Sequence, residues 1–210
     1  MTDRPAPTRR IAAVVAAAGR STRMGAPKQL LPWQGATVVG TVVDNLHQAG
    51  AGPVVVVVGH EAEAVAAALA HKPVQIVANP AYRTGEMLAS HQAGLRRLID
   101  AATPPQALPL GALLALGDQP HIPAGAIRSV VEQALATPQR IVIPSYNMRR
   151  GHPIYLPAAL WDEALALGAD ETLRTLLNRH AGDIRYVDSQ TSAVLHDIDT
   201  PDDYAALKPR

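Results

Sequence analysis

The sequence predicts an α/β fold: a mostly parallel, twisted sheet with helices on both faces. Three observations predict it. The runs Ile11–Ala18, Val54–Val58 and Gly111–Leu116 are apolar at consecutive positions, as strands covered on both faces must be. Segments of helical periodicity separate them. Strand and helix then alternate through most of the chain, the pattern of crossover connections between parallel strands. With 210 residues there is chain for one sizeable domain with a large core. The expected boundaries are 1–210, of which 1–9 form a flexible polar lead-in.

The first strand, Ile11–Ala18, is broken by Gly19. From Thr37, the residues Val38, Val39, Val42, Val43 and Leu46 fall at helical spacing, with Gly50 just past the helix end. Val54–Val58, five valines, is the second strand. Glu61–Ala70 is Ala-rich and helical, with His60-Glu61 as its cap. Val74–Val77 is a short third strand, ended by Asn79-Pro80. The loop after it enters a helix running to about Ala101, and Thr103–Pro109 reads as a surface loop. Gly111–Leu116 is a central strand, stopped by Gly117-Asp118-Gln119-Pro120. A helix over Pro123–Leu135 and a strand over Ile141–Ile143 follow.

The last third is less regular. Pro144–Gly151 is a loop, Pro153–Leu156 a short strand and Ala158–Ala166 a helix. Asp170 is placed to N-cap a helix to about His180, and Ile184–Val187 is a strand. Thr200-Pro201-Asp202-Asp203 starts the final helix: a threonine cap, proline in the first turn, and acids where the helix dipole favours them.

Composition excludes several functions. A net charge of +1 is too small for a nucleic-acid-binding field. Without cysteine there is neither a disulfide framework nor a thiolate metal site, which fits a reducing compartment. No run reaches the roughly 18 apolar residues of a membrane span. The start does not read as a secretory leader, so a cytoplasmic enzyme is expected. The eight histidines show no metal-ligand spacing. Trp33 reads as packing beside Leu31, and Tyr82-Arg83 as an exposed loop pair.

Basic charge is instead local. From Arg4 to Val43 there is no acidic residue, and Arg20, Arg23 and Lys28 cluster directly after the first strand. A glycine-hinged loop carrying these cations and the hydroxyls of Ser21 and Thr22 suits a polyanion. It follows a strand whose carboxyl end is where open α/β sheets bind ligands. The loop is neither Walker A nor the dinucleotide fingerprint, because five residues separate Gly19 from Gly25 and Lys28 comes three later.

Two acids complete the pattern. Asp118 follows a buried strand, and Asp199 sits between a strand and the capped last helix. Together they suit Mg²⁺, a hard cation that shares its oxygen ligands with phosphates. On spacing alone, Asp118 also fits a D-Q-P turn former and Asp199 a partner of the last helix cap; Asp197 reads as structural.

Ala17-Ala18-Gly19-Arg20-Ser21-Thr22-Arg23-Met24-Gly25-Ala26-Pro27-Lys28 resembles the signature of MobA-like nucleotidyltransferases, and most closely A-A-G-x-S-x-R-M-G-x-x-K of the molybdenum cofactor cytidylyltransferases. Further segments follow in that family's order. Asn79-Pro80 with the later Ser90 resembles its nucleoside-side N-P…S. Gly117-Asp118-Gln119-Pro120 resembles its G-D-Q-P, Arg150-Gly151-His152-Pro153 its acceptor-side R-G-H-P, and Asp197-Ile198-Asp199-Thr200-Pro201 its D-I-D-T-P. The resemblance implies a Rossmann-like, nucleotide-diphospho-sugar transferase-like fold. It implies a triphosphate wrapped by Ala17, Ala18, Gly19, Arg20, Ser21, Arg23, Met24, Gly25 and Lys28, with Asn79, Ser90 and Asp118 also at the nucleotide. Lys28, with Arg20 and Arg23, would be catalytic. Asp118 and Asp199 would hold Mg²⁺, with Mn²⁺ as a substitute. Gln119, Pro120, Arg150, Gly151 and His152 would face the acceptor.

The implied reaction joins CMP from CTP to the phosphate of molybdenum-bound molybdopterin, with a molybdoenzyme or its maturation chaperone to receive the product. Ala18, where guanylyltransferase relatives more often carry glycine, favours CTP over GTP. The segment Gly85–Ser90 has one residue more than the family's G-M-x-x-S, and Gly168–Arg174 shifts its G-D-x-G-A-R, so the acceptor is the least determined part. The alternatives are GTP as donor, a sugar phosphate as acceptor, and a non-catalytic nucleotide-binding protein. A dehydrogenase is the weakest reading, since the glycine fingerprint is absent.

Overall fold

The computed structural model describes residues 10–83, 87–102 and 108–209. The lead-in 1–9, Gly85-Glu86 and residues 103–107 of the expected surface loop lie outside them. Strands β1 (Ile11–Ala17), β4 (Val54–Val58), β5 (Val74–Ala78), β6 (Gly111–Leu116), β7 (Ile141–Tyr146), β8 (Arg149–Arg150), β9 (Ile154–Pro157) and β10 (Ile184–Asp188) form one eight-stranded sheet. Its order is β10-β7-β9-β6-β1-β4-β5, with β8 on β7. β1 lies at its centre, parallel to β4 through Ala13↔Val54 and to β6 through Ile11↔Gly111. β2 (Pro32–Trp33) and β3 (Ala36–Thr37) form a separate small ribbon.

Alternate side chains of the central strands enter two different cores, as the period of two demands. Ala13, Val15 and Ala17 of β1, with Val54, Val56 and Val58 of β4, pack against α1 (Val38–Gln48), α2 (Ala62–Ala68) and α4 (Ala124–Ala136). Ala12, Val14, Val55 and Val57 pack against α3 (Met87–Asp100), α5 (Trp161–Ala166) and α6 (Leu173–Arg179). Each fully buried valine contributes about 1.5–3 kcal/mol, so the five of β4 alone anchor both layers. A third cluster of Trp33, Val38 and Ile198, with Met24 and Tyr204 against it, ties the small ribbon to α7 (Pro201–Leu207); Trp33 is packing, as its neighbours suggested.

The structure corrects four local expectations. Asp170 is not the cap of α6: the chain turns tightly at Gly168–Glu171, and the cap position falls to Thr172. Glu61 occupies the N-cap of α2 in a left-handed conformation and gives it no side-chain bond. Pro144–Gly151 is not a plain loop, because β7 continues to Tyr146 and pairs with β8 through a two-residue turn at Asn147 (φ 49°) and Met148 (φ 62°). Positive φ at both central residues is what a tight hairpin requires, but Met gives no sequence sign of it. Finally, β9 runs antiparallel between β6 and β7. Among the described residues no helix is long and apolar enough to cross a membrane.

The approach of α3 to the sheet depends on Gly94, where a Cβ would run into the Val14 side chain. Gly94→Ala is expected to destabilise the fold by about 1–3 kcal/mol through overpacking, read as a lower denaturant midpoint at unchanged slope.

Candidate functional site

The carboxyl ends of β1, β5 and β6 open onto a cavity of about 350 Å³. The loop leaving β1 is built by its own backbone and side chains. Ser21 holds a left-handed φ of 52°, and Gly25 a φ of 69°, which glycine adopts without penalty. The Ser21 hydroxyl accepts from the Lys28 N–H at 3.1 Å and donates to Gln29 Oε1 at 3.2 Å. Gln29 Nε2 in turn donates to the Gly19 carbonyl at 3.3 Å. Gln29 is 4% exposed, and staples the loop shut from beneath. Met24 packs beside the Trp33 cluster, while Arg20 is exposed.

Three distant segments converge on Lys28. Its ammonium lies 2.5 Å from Asp118 Oδ2 and 3.0 Å from Asp199 Oδ1, and Arg23 reaches Asp199 Oδ2 at 2.9 Å. Burial acts to lower the Lys28 pKa, but Asp118 and then Asp199 outweigh it, so the ammonium is held above its ordinary range. Burial acts to raise the Asp199 pKa, yet its bonds to Lys28 and Arg23 hold it below the usual carboxylate range. Asp197, also on the cavity wall, is raised by burial and by the charge of Asp118. The Asp199 backbone N–H and the Thr200 N–H and hydroxyl all donate to Asp203 Oδ2, so the cap of α7 fixes the carboxylate's backbone.

The donor chemistry fits a hard divalent ion. Two carboxylates already meet at one cation, and Asp118 Oδ1 is buried with no hydrogen-bond partner among the described residues. No third acidic, histidine or cysteine ligand joins them there, as suits an ion that completes its shell with phosphate oxygens.

Most of the residues singled out in the sequence meet at this cavity: Ala18, Gly19, Arg23, Lys28, Asn79, Ser90, Asp118 and Asp199 all line it. Asn79 Nδ2 donates to Ser90 Oγ at 3.1 Å, joining the end of β5 to α3. Tyr82, read as an exposed pair with Arg83, lines the wall instead. Ala17 is buried in the first core. Gln119 and Pro120 line neither this cavity nor its neighbour. Gln119 donates to the His196 carbonyl at 2.9 Å and to Asp197 Oδ1 at 2.7 Å, and the Pro120 carbonyl accepts from Asn45. They brace the Asp118 turn against the Asp199 segment from behind. Arg150, Gly151 and His152 line a second cavity, which shares Met87 with the first. Sequence reasoning missed Gln29 and Asp197; the only sign of Gln29 was its place beside Lys28.

Comparisons with known proteins bear on this geometry. Residues 13–184 match the MobA-like NTP transferase domain. The chain is 32% identical to nicotine blue oxidoreductase of Paenarthrobacter nicotinovorans, covering 90% of this chain and 92% of that protein. It is 27% identical to molybdenum cofactor cytidylyltransferase of Escherichia coli, covering 94% and 95%. Among solved structures it superposes on a nucleotidyl transferase from Methanothermobacter thermautotroptrophicus with a TM-score of 0.79 at 27% identity, covering 95% and 96%. A manganese complex of Rv0371c from Mycobacterium tuberculosis gives a TM-score of 0.73 at 31% identity, covering 95% and 98%.

Thr200→Ala removes the hydroxyl that caps α7 and is expected to cost about 0.5–2 kcal/mol of stability, measured by chemical denaturation.

Proposed function

Because the chain belongs to the MobA-like NTP transferase domain family, and is by that membership a nucleotidyltransferase, we propose that it transfers CMP from CTP to the phosphate of molybdenum-bound molybdopterin. The observation that carries the reading is the Lys28 ammonium held between Asp118 and Asp199 on the cavity wall.

An acceptor phosphate oxygen attacks the α-phosphorus of CTP. The new P–O bond forms as the bond to the β-phosphate breaks, and pyrophosphate leaves. The acceptor is already an anion at neutral pH, so no side chain need act as nucleophile or base. The work of the protein is positioning and charge neutralisation. Asp118 and Asp199 would hold Mg²⁺, or Mn²⁺ in its place, and the bound ion would neutralise charge on the triphosphate. Lys28 then exchanges its carboxylate contacts for phosphate oxygens and stabilises the charge that builds during transfer. Arg23, exposed at the mouth, and Arg20 on the loop assist it. Asn79 and Ser90 position the nucleoside. Ala18, 6% exposed on the wall, narrows the space for the base and favours cytosine over a purine. The reaction is placed in the cytoplasm, with a molybdoenzyme or its chaperone as receiver of the product.

The oxidoreductase among the relatives prompts a second reading, and one assay separates the two. Pyrophosphate released in step with loss of CTP supports transfer, whereas turnover of a reduced pyridine nucleotide without pyrophosphate refutes it.

Lys28→Ala is expected to lower kcat by about 10²–10³-fold while CTP affinity changes much less, the pattern of a group that acts mainly on the transition state. Chelation with EDTA should abolish pyrophosphate release, and Mg²⁺ or Mn²⁺ should restore it. Ala18→Gly should raise kcat/KM for GTP relative to CTP; an unchanged ratio would remove Ala18 from base selection.

A further inference from the structure

The second cavity, about 480 Å³, lies between α3, α6 and the turn before β9. Most of its wall is aliphatic, from Leu88, Ile154, Leu173 and Leu177, with Arg150 and Arg174 also on it. One polar group on this wall is unusual. His91 is 2% exposed, and both of its ring nitrogens are buried without a hydrogen-bond partner. His47 and His121 each leave one nitrogen unpaired as well, but neither borders either cavity of the site.

A buried imidazole with neither nitrogen paired costs about 1–3 kcal/mol per group. Leucine would fill a similar space in an aliphatic wall at no such cost. Burial, and then the nearby His152, push the His91 pKa down to about 3, so the ring carries one N–H donor and one bare acceptor nitrogen. Burial likewise lowers His152 to about 4. The floor of this chamber therefore offers uncharged donors and acceptors, and the guanidinium groups of Arg150 and Arg174 supply positive charge elsewhere on the wall.

We propose that His91 is a specificity-determining residue of the acceptor site, pairing both ring nitrogens with an uncharged donor–acceptor edge on the acceptor's body. The matching ligand is a phosphate monoester with an apolar-faced ring and a neutral heteroatom edge. Its anionic substituents meet Arg150 and Arg174, and its phosphate passes Met87 toward the nucleotide. A polyhydroxylated or charged body would leave groups unpaired against the leucines. The inference rests on the nucleotidyltransferase reading for what happens beyond Met87, but the binding step stands apart from catalysis.

Isothermal titration of the full chain with molybdopterin, and separately with Mg·CTP, tests it. His91→Leu is expected to weaken molybdopterin by about tenfold or more, the loss of two modest hydrogen bonds, with Mg·CTP affinity nearly unchanged. His91→Gln, whose amide offers both a donor and an acceptor, should retain most of the affinity. The melting temperature of His91→Leu should match or exceed that of the unaltered chain, since an unpaired buried group is removed. Equal molybdopterin binding by the leucine variant and the unaltered chain overturns the inference. So does a parallel fall in CTP affinity, a collapse in melting temperature, or no molybdopterin binding by the unaltered chain. If titration shows the His91 dependence but no acceptor yields pyrophosphate, the catalytic reading fails and this one survives.

Discussion

Two carboxylates facing one another repel, and Asp118 and Asp199 are kept together because one ammonium lies between them. Removing Lys28 from that point would leave Asp118, already carrying one unpaired oxygen, with no compensating charge. The rest of the site is arranged to hold this junction. The loop that carries Lys28 is locked by Ser21 and Gln29, the Asp118 turn is tied to the Asp197–Asp199 segment by Gln119, and α7 clamps the backbone of Asp199. The arrangement is a cation site preset by protein charges, in which the lysine keeps two metal-type ligands aligned.

The fold makes this arrangement possible through the parallel centre of its sheet. β6, β1, β4 and β5 all end on the same edge, so the loops after β1, β5 and β6 emerge side by side. The close seat of α3 on Val14 brings Ser90 to one cavity and His91 to the other from adjacent positions on one helix. The antiparallel β9 has a distinct effect. It carries the chain back between β6 and β7, which sets Gly151 and His152 beside the helices that wall the second cavity.

Much of the architecture was legible in the sequence, because runs such as Val54–Val58 have few other stable destinations than a doubly covered strand. The direction of β9 was not legible, since Ile154–Pro157 carries the same apolar pattern whichever way it runs. The hairpin at Asn147-Met148 was hidden by a methionine in a conformation that usually calls for glycine or asparagine. In the site, Lys28, Asp118 and Asp199 could be read from motif spacing, and the structure brings them into contact. Gln29, Asp197 and His91 could not, because their importance lies in which distant groups they meet or fail to meet. Gln119 shows the converse: its place in the motif suggested a ligand contact, but its amide is consumed in bracing Asp197.

The contact between Lys28 and Asp199 spans 171 residues of chain, and that between Arg23 and Asp199 spans 176. Closing so long a loop carries an entropic cost that local contacts do not offset, so this junction belongs among the late events of folding. A nascent chain can pair its central strands and order the glycine turn before the segment bearing the second carboxylate is in place. Binding competence therefore reports on completion of the whole polypeptide, and cleavage just ahead of Ile198 would leave a sheet that is intact and a centre that is half built.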